Sequence, residues 1–396
     1  MADRPHLTLI PRQTHRIERG HSWVFRSEFT DIVGEPTDGD AVEVRDRRGV
    51  VLGSGLYSAN SQIAVRLLSR RSPAFDRDFF LAGLRRAIAL RDERLPGRPC
   101  RRLVSSEGDQ LPGLIVDQYG DRIVIQTTTA GMDRLLPMWV DLLRGELSPV
   151  QIVERNDLHV RRHEGLPERV GVLHGPAGTR ITARVGKVDV DIDLLDPHKT
   201  GAYLDQQLNH EAVARWVRPG DRVLDCFSHL GGFALHALLA GAKEAIAVDS
   251  AEASIAGALR SAELAGVSER VVTHCANAFD WLRAADDARE RFDLVVLDPP
   301  SFTRNKESVA GAMRGYKEIH VRGLRRLEIG GRLVTFTCSH HVPAPLFLET
   351  ILAAAVDAKR TLRLDESLQA SPDHPVLPAI PESEYLKGFV FTVVDA

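Results

Sequence analysis

The period of the hydrophobic pattern changes along the chain. Up to about residue 72 the runs are short and alternating, as in AVEVRDRRGVVLGSGLYS and QIAVRLLS, and the RRG and GSG steps suit turns. This predicts a small β-barrel over residues 1–72. After Pro73, FDRDFFLAGLRRAIALRDERL carries apolar residues at helical spacing and stops at Pro96-Gly97. LPGLIVDQYGDRIVIQTT then reads as a hairpin turning at Tyr119-Gly120-Asp121, GMDRLLPMWVDLLRGEL as one helix and VQIVERND as a strand. RITARVGKVDVDIDLL reads as a further hairpin around Gly186-Lys187. Residues 73–190 are therefore expected to form a central α+β domain.

From about residue 197 strands and helices alternate. RVLDCF, EAIAVDS, RVVTHCANAF, FDLVVLDPP and GGRLVTFTCS read as strands with helices between them, and GFVFTVVDA as a closing strand. Such alternation implies an α/β fold, a Rossmann-like parallel sheet covered on both faces, over residues 191–396.

A length of 396 residues suits two or three domains, and 43% apolar with 27% charged residues is ordinary for a globular protein. No apolar run approaches the roughly 18 residues of a membrane helix, and MADRPHLTLIPRQTHR has no apolar signal core. A cytoplasmic protein without a membrane partner is expected. The four cysteines, Cys100, Cys226, Cys275 and Cys338, form no CxxC pair, which argues against zinc. Each is then core filler or nucleophile, and Cys226 and Cys275, within or beside strands, read as core. A net charge of -3 does not advertise a nucleic-acid binder. Between Arg66 and Arg102, however, eleven arginines face four acids. That excess suits phosphate contacts or a solvated helix face.

The first chemical signal is RVLDCFSHLGGFALHALLAGA. A strand ends at Asp225, and a tight loop with Gly231 and Gly232 leads into a helix. Glycines there let backbone approach a ligand at the sheet edge. Asp249 ends the next strand, where a carboxylate can hold ribose hydroxyls. The dinucleotide signature GxGxxG is absent, and a sulfonium ligand needs no pyrophosphate cradle, so S-adenosylmethionine fits better than a dinucleotide. Asp225 has an alternative role as a loop cap. Asn277 is placed to meet an adenine or to cap its own loop.

The second signal is the pair of strand ends Asp298-Pro299-Pro300-Ser301-Phe302 and Thr337-Cys338-Ser339. Two prolines make a stiff loop that can hold an acid and an aromatic in place. Phe302 suits stacking on an extruded base. Cytosine C5 is a poor nucleophile until a thiolate adds to C6, a task for Cys338 at the same sheet edge. His340 and His341 read as a solvated loop pair, with proton relay as the alternative.

These residues resemble the bacterial large-subunit ribosomal RNA 5-methylcytosine methyltransferases of the RlmI type. The likeness runs from HSWVFRSE and GDAVEVRDRRGVVLGSGLYSANSQIAVRLLS through HKTGAYLDQQLN, SHLGGF, VDSAE, LDPPSF, GYKEIH and TFTCS to SPDHPV and YLKGFVF. It implies an N-terminal PUA domain, a central domain and a class I methyltransferase domain. It implies Cys338 as nucleophile, with Asp298 steadying the base through N3. S-adenosyl-L-methionine is then held by Gln206, Asp225, Phe227, Ser228, Gly231, Gly232, Phe233, Asp249, Ser250, Asn277, Ala278, Asp298 and Pro299, and the base meets Pro300 and Phe302. This chain departs from the family at His229-Leu230, where Tyr-Thr commonly precedes the glycines.

The implied partner is 23S ribosomal RNA, naked or in a precursor subunit. Dimerisation through the barrel or central domain is open. Two rivals stand beside this reading. A guanine-N7 methyltransferase shares DPP and an aromatic but needs no cysteine. A non-catalytic RNA-binding assembly factor would show a ruined loop or no nucleophile.

Overall fold

The computed structural model describes residues 4–10, 14–195, 201–303 and 306–395. Contacts divide the chain into two compact units. The first holds residues up to Arg180, Asp193–Gly201 and Pro372–Glu384; the second holds Ile181–Ile192, Ala202–Ser371 and Tyr385–Ala396.

In the first unit, β1 (His6–Leu9), α1 (Thr14–Glu18), β2 (Trp23–Phe25), β3 (Phe29–Val33), β4 (Ala41–Arg45), β5 (Val51–Tyr57) and β6 (Ile63–Ser69) come first. Their sheet runs β2-β6-β5-β4-β1-β3. The two edge strands, β2 and β3, are joined by the turn Arg26–Glu28 alone, so the sheet must curl round on itself. Leu7, Val24, Val42, Val44 and Val65 fill its interior. The expected barrel is present.

The next part contains α2 (Arg77–Arg94), β7 (Cys100–Ser105), β8 (Leu114–Tyr119), β9 (Arg122–Thr127), α3 (Ala130–Arg134), α4 (Leu136–Leu147), β10 (Gln151–Asn156) and β11 (Arg169–His174). A five-stranded sheet, β11-β10-β9-β8-β7, packs Leu114, Val116 and Ile125 against Phe80, Leu84 and Trp139 of the helices. The helix expected over 131–147 is two helices, parted at Leu135. Pro137 supplies no N–H donor and suits only the first turn of the second helix.

Many of the arginines between 66 and 102 have carboxylate partners, among them Arg66 with Glu164, Arg85 with Glu146, Arg91 with Asp109, Arg94 with Glu93, Arg101 with Asp92 and Arg102 with Asp117. Arg85 and Arg94 lie exposed on α2, as a solvated helix face has them, whereas Arg66, Arg91, Arg101 and Arg102 are largely buried and serve the fold. Arg91 is fully buried and also donates to the carbonyl of Asp373 at 2.6 Å. The Asp373 carboxylate accepts from the Arg102 amide at 2.8 Å. From Pro372 on, the SPDHPV segment thus belongs to the first unit. Arg91→Ala strands the buried Asp109 and is expected to cost about 3–5 kcal/mol in urea unfolding; an unchanged midpoint would contradict this.

The second unit begins with a hairpin, β12 (Arg180–Val185) and β13 (Val188–Asp193). This differs from the expected boundary at 190, since contacts place Ile181–Ile192 here. The cause is one buried face, with Val185, Val188, Val190 and Ile192 inward, and an ion pair from Asp191 to Arg260. Then follow α5 (Gln207–Ala214), β14 (Arg222–Cys226), α6 (Gly232–Leu239), β15 (Glu244–Asp249), α7 (Glu252–Leu264), β16 (Val271–Cys275), α8 (Ala278–Asp287), β17 (Phe292–Leu297), α9 (Val309–Arg325), β18 (Leu327–Thr337), α10 (Ala344–Ala358), β19 (Thr361–Gln369) and β20 (Lys387–Asp395).

Their seven-stranded sheet has the order β16-β15-β14-β17-β18-β20-β19. β14 to β18 are parallel, and β20 runs antiparallel between β18 and β19. The chain moves outward from β14 to β16 and restarts on the other side at β17. That reversal opens a crevice at the carboxyl ends of β14 and β17. Cys226 is buried as expected. Cys275 is exposed, which corrects the core assignment, because β16 is the sheet's edge. No described helix is long and apolar enough to cross a membrane.

Candidate active site

Three strand ends meet at the crevice, and each carries a carboxylate: Asp225 on β14, Asp249 on β15 and Asp298 just after β17. Asp225 is fully buried, and its Oδ2 accepts from the Ala234 amide in the first turn of α6 at 3.0 Å. It does cap the loop, yet its Oδ1 has no hydrogen-bond partner. Burial, with the charges of Asp298 and Asp249 adding to it, pushes its carboxyl up to about 8. Three acids at one edge repel a pyrophosphate and favour a ligand with a cationic end.

Between β14 and α6 the backbone turns through left-handed conformations at Phe227, His229 and Gly231, with φ of 63°, 48° and 75°. The Ser228 amide is tied to the Val248 carbonyl at 3.0 Å, while its buried hydroxyl has no partner. Gly232 has a separate reason to be glycine. A Cβ there would lie 2.4 Å from the His210 ring. The His229 ring packs edge-on against Tyr203 at 4.9 Å, so this departure from the family pattern is accommodated by an aromatic neighbour. Phe233 points away from the loop into the core, against Phe336 and His210.

Asp249 receives the amides of His229 and Ala251, both at 2.9 Å, on its two oxygens. Each oxygen keeps a further lone pair for a hydroxyl. Ser250 beside it is exposed. β16 ends at Cys275, two residues before Asn277, whose side chain accepts from the Phe279 amide at 2.9 Å. Asn277 therefore caps α8, and Ala278 is buried as the first residue of that helix. The unpartnered Asp225 Oδ1 and Ser228 Oγ, with the bare backbone at the glycines, fit S-adenosylmethionine: a carboxylate for its cationic end and Asp249 for its ribose.

On the other side of the crevice, Gln206 donates from Nε2 to Asp298 Oδ2 at 3.0 Å, and Asn209 donates to Gln206 Oε1 at 2.6 Å. This chain of amides holds the Asp298 carboxylate in place. His198, Lys199 and Thr200 of the HKTGAYLDQQLN motif lie outside the described residues. Cys338 follows β18 directly and is partly exposed; its thiol reaches the Pro299 carbonyl at 3.9 Å. The Cys338 sulfur and the loop that carries Asp298 are thus in contact. Pro299 is buried and Pro300 exposed. Phe302 is half-buried, packed on Tyr316 at 4.7 Å and on Phe279 at 5.7 Å. His340 and His341 have rings 3.9 Å apart, and His340 is exposed. Sequence reasoning missed Asn209, which also donates to the Gln369 carbonyl at 3.0 Å, and His210 and Tyr316, whose contacts with Gly232 and Thr337 lie distant in the chain.

The PUA-like domain family matches residues 7–70, and the S-adenosylmethionine-dependent methyltransferase family matches residues 181–391. The latter match includes the β12–β13 hairpin. The Ribosomal RNA large subunit methyltransferase I of Alteromonas mediterranea is 36% identical over 391 residues, 98% of each chain. That of Shewanella amazonensis is 39% identical over 98% of this chain and 99% of its own. Among solved structures, SMU.776 complexed with SAH superposes with a TM-score of 0.83 at 21% identity, covering 98% of this chain and 100% of that one. A Streptococcus mutans protein assigned to the SAM-dependent methyltransferases gives 0.84 at 20%, with the same coverage. With the glycine loop, the acidic crevice and full-length relatives in agreement, the chain belongs to the ribosomal RNA large subunit methyltransferase I family, as an enzyme that uses S-adenosyl-L-methionine.

Proposed function

We propose that this chain methylates C5 of a cytosine in 23S ribosomal RNA through a covalent bond from Cys338 to C6. The relatives' names supply the class of RNA, and the PUA-like barrel suits its binding by shape. The observation that carries the choice of base is the 3.9 Å contact between the Cys338 thiol and the carbonyl next to Asp298. A guanine-N7 enzyme has no use for a thiol at that place, since N7 is already nucleophilic.

The target base leaves its stack and enters the crevice, with Pro300 and Phe302 at its edge. The Cys338 thiolate adds to C6. The Asp298 carboxylate, oriented by Gln206, takes up the proton that Cys338 releases and shares it with N3 as electron density builds there. C5 is then enamine-like. The bound cofactor supplies an electrophilic methyl group for that carbon. Loss of the C5 proton to a base or water expels Cys338 and restores the ring. Asp225, Ser228 and the glycines hold the amino-acid end of the cofactor, Asp249 the ribose, and Asn277 with Ala278 border the adenine. We assign RNA capture to residues 1–72, support to 73–190, catalysis to 191–396 and the cytoplasm as the place of action.

Mass spectrometry of nuclease-digested 23S RNA from cells with and without the gene tests the proposal. A 5-methylcytosine lost with the gene supports it; a lost 7-methylguanine, or no change, defeats it.

The carboxyl of Asp225 makes a second measurable statement. Its folded-state value of about 8 stands above the ordinary 3.8. Stability from this group is present below the ordinary value and is lost as pH rises through about 8. Asp225→Asn keeps the acceptor for Ala234 and cannot ionise. In thermal melts without cofactor, the variant is expected to gain on the wild type between pH 5 and pH 8. A constant difference across that range would refute this.

A further inference from the structure

The loop that carries Asp298 has an unusual problem. Pro299 and Pro300 remove two consecutive amide donors, so after the Asp298 amide, which reaches the Cys226 carbonyl at 3.4 Å, backbone donors give out. Side-chain hydroxyls take that place. Ser301 Oγ donates to the Thr303 carbonyl at 3.0 Å, and Thr303 Oγ1 bonds the hydroxyl of Ser339, the residue after Cys338. On the residue before Cys338, Thr337 Oγ1 pairs with the Tyr316 hydroxyl at 2.9 Å. The Tyr316 ring in turn carries Phe302 at 4.7 Å, and the backbone of Phe302 acts on the Tyr316 oxygen. Cys338 thus sits between two hydroxyls, each joined to the 298–303 loop: Ser339 directly, Thr337 through Tyr316.

The register explains how α9 and β18 build this. Residues two apart on a strand face one side, and residues four apart on a helix share a face. Thr335 and Thr337 of β18 accordingly meet His320 and Tyr316 of α9, His320 Nε2 lying 2.8 Å from Thr335 Oγ1. Two polar rungs cross an otherwise apolar interface, and the outer one ends next to the nucleophile. Thr303, Tyr316, Thr337 and Ser339 are all buried. Lys387, opposite Thr337 in the sheet, donates to the Ser339 carbonyl at 3.3 Å and closes the far side.

We infer that the Tyr316–Thr337 and Thr303–Ser339 hydroxyl pairs form a bracket that fixes the spacing between Cys338 and Asp298, making Tyr316 a positioning residue for methyl transfer. The inference rests on the reading of Cys338 as nucleophile. A pair of reacting groups misplaced by about 1 Å can lose up to about 100-fold in rate, whereas substrate affinity is set elsewhere. The bracket therefore acts on kcat.

The full-length protein is compared with its Tyr316→Phe, Thr337→Val, Thr337→Ser and doubly substituted Tyr316→Phe/Thr337→Val variants on 23S RNA. Tyr316→Phe and Thr337→Val are expected to lower kcat by at least about 10-fold, with KM for RNA and the dissociation constant for S-adenosylmethionine unchanged. Thr337→Ser keeps the hydroxyl and retains the rate. The double variant is no worse than either single one, because both remove the same bond. A second readout needs no turnover. Alkylation of the Cys338 peptide by iodoacetamide, measured against exposed Cys275, is expected to be about threefold faster or more in Tyr316→Phe, as the thiol is released from the Pro299 carbonyl. Wild-type kcat and alkylation in the variants, or additive losses in the double variant, would overturn the bracket. Faster alkylation in Tyr316→Phe, with no 5-methylcytosine made by the wild type, would keep the bracket and overturn the proposed reaction instead.

Discussion

Cys338→Ala is expected to abolish methyl transfer to RNA while S-adenosylmethionine binds as before. Without addition at C6 the cytosine C5 stays unreactive toward an alkylating methyl, and no neighbouring group can substitute. Ser339 is the nearest alternative nucleophile, but its hydroxyl is buried and engaged with Thr303. Loss of a catalytic nucleophile lowers rates by roughly 10⁴-fold or more, which is beyond detection in most transfer assays. The substitution removes one sulfur from a partly exposed position, so the fold should persist. RNA carrying 5-fluorocytosine gives the sharper readout. The wild type should form an adduct stable on a denaturing gel, since fluorine cannot leave as a proton does, and Cys338→Ala should form none. Tritiated methyl transfer at the wild-type rate in the variant would sink the mechanism.

Asp298→Asn comes second in size. Asparagine keeps an oxygen for Gln206, whose Nε2 donates to Oδ2 at 3.0 Å in the wild type. What it loses is the proton that the carboxyl gives toward N3. Positioned acid–base groups contribute roughly 10²–10⁴-fold, and kcat is expected to fall within that range. The cofactor's dissociation constant should change only slightly, because Asp225 and Asp249 remain. Removing one of three carboxylates at the crevice also relieves the repulsion that helps hold the Asp225 carboxyl high, so that group's titration should move down. A full-rate Asp298→Asn enzyme would mean that N3 is served by another residue.

Much of this was legible in the chain itself, for a physical reason. In a parallel sheet the strand ends are close in space, so SHLGGF, VDS, LDPPSF and TCS fall together once their strands are recognised. Their chemistry can then be read from residue type. What escaped were partners distant in sequence. Nothing in NHEAV announces that His210 occupies the space a Cβ on Gly232 would need. Nothing in SPDHPV announces that its Asp373 carbonyl is claimed by the buried Arg91. The hydroxyls of Thr303, Thr337 and Ser339 are common residue types with no spacing signal. Cys275 looked like core because a strand pattern does not say whether the strand lies at an edge.

The hairpin Ile181–Ile192 also bears on how the catalytic half can be dissected. Its sequence pattern continues that of the preceding domain, and a fragment cut at residue 191 would seem natural. Such a fragment leaves Val188 and Val190 behind. Arg260 then loses Asp191 or keeps it on a frayed end, and the Nε2 of His236 loses the Lys187 amide that it now accepts at 3.1 Å. His236 is held on α6 by the Gly232 carbonyl at 2.7 Å, so the damage reaches the glycine turn itself. Dissection of this enzyme therefore has to begin upstream of residue 181, or the piece recovered will be one whose ligand loop has lost its floor.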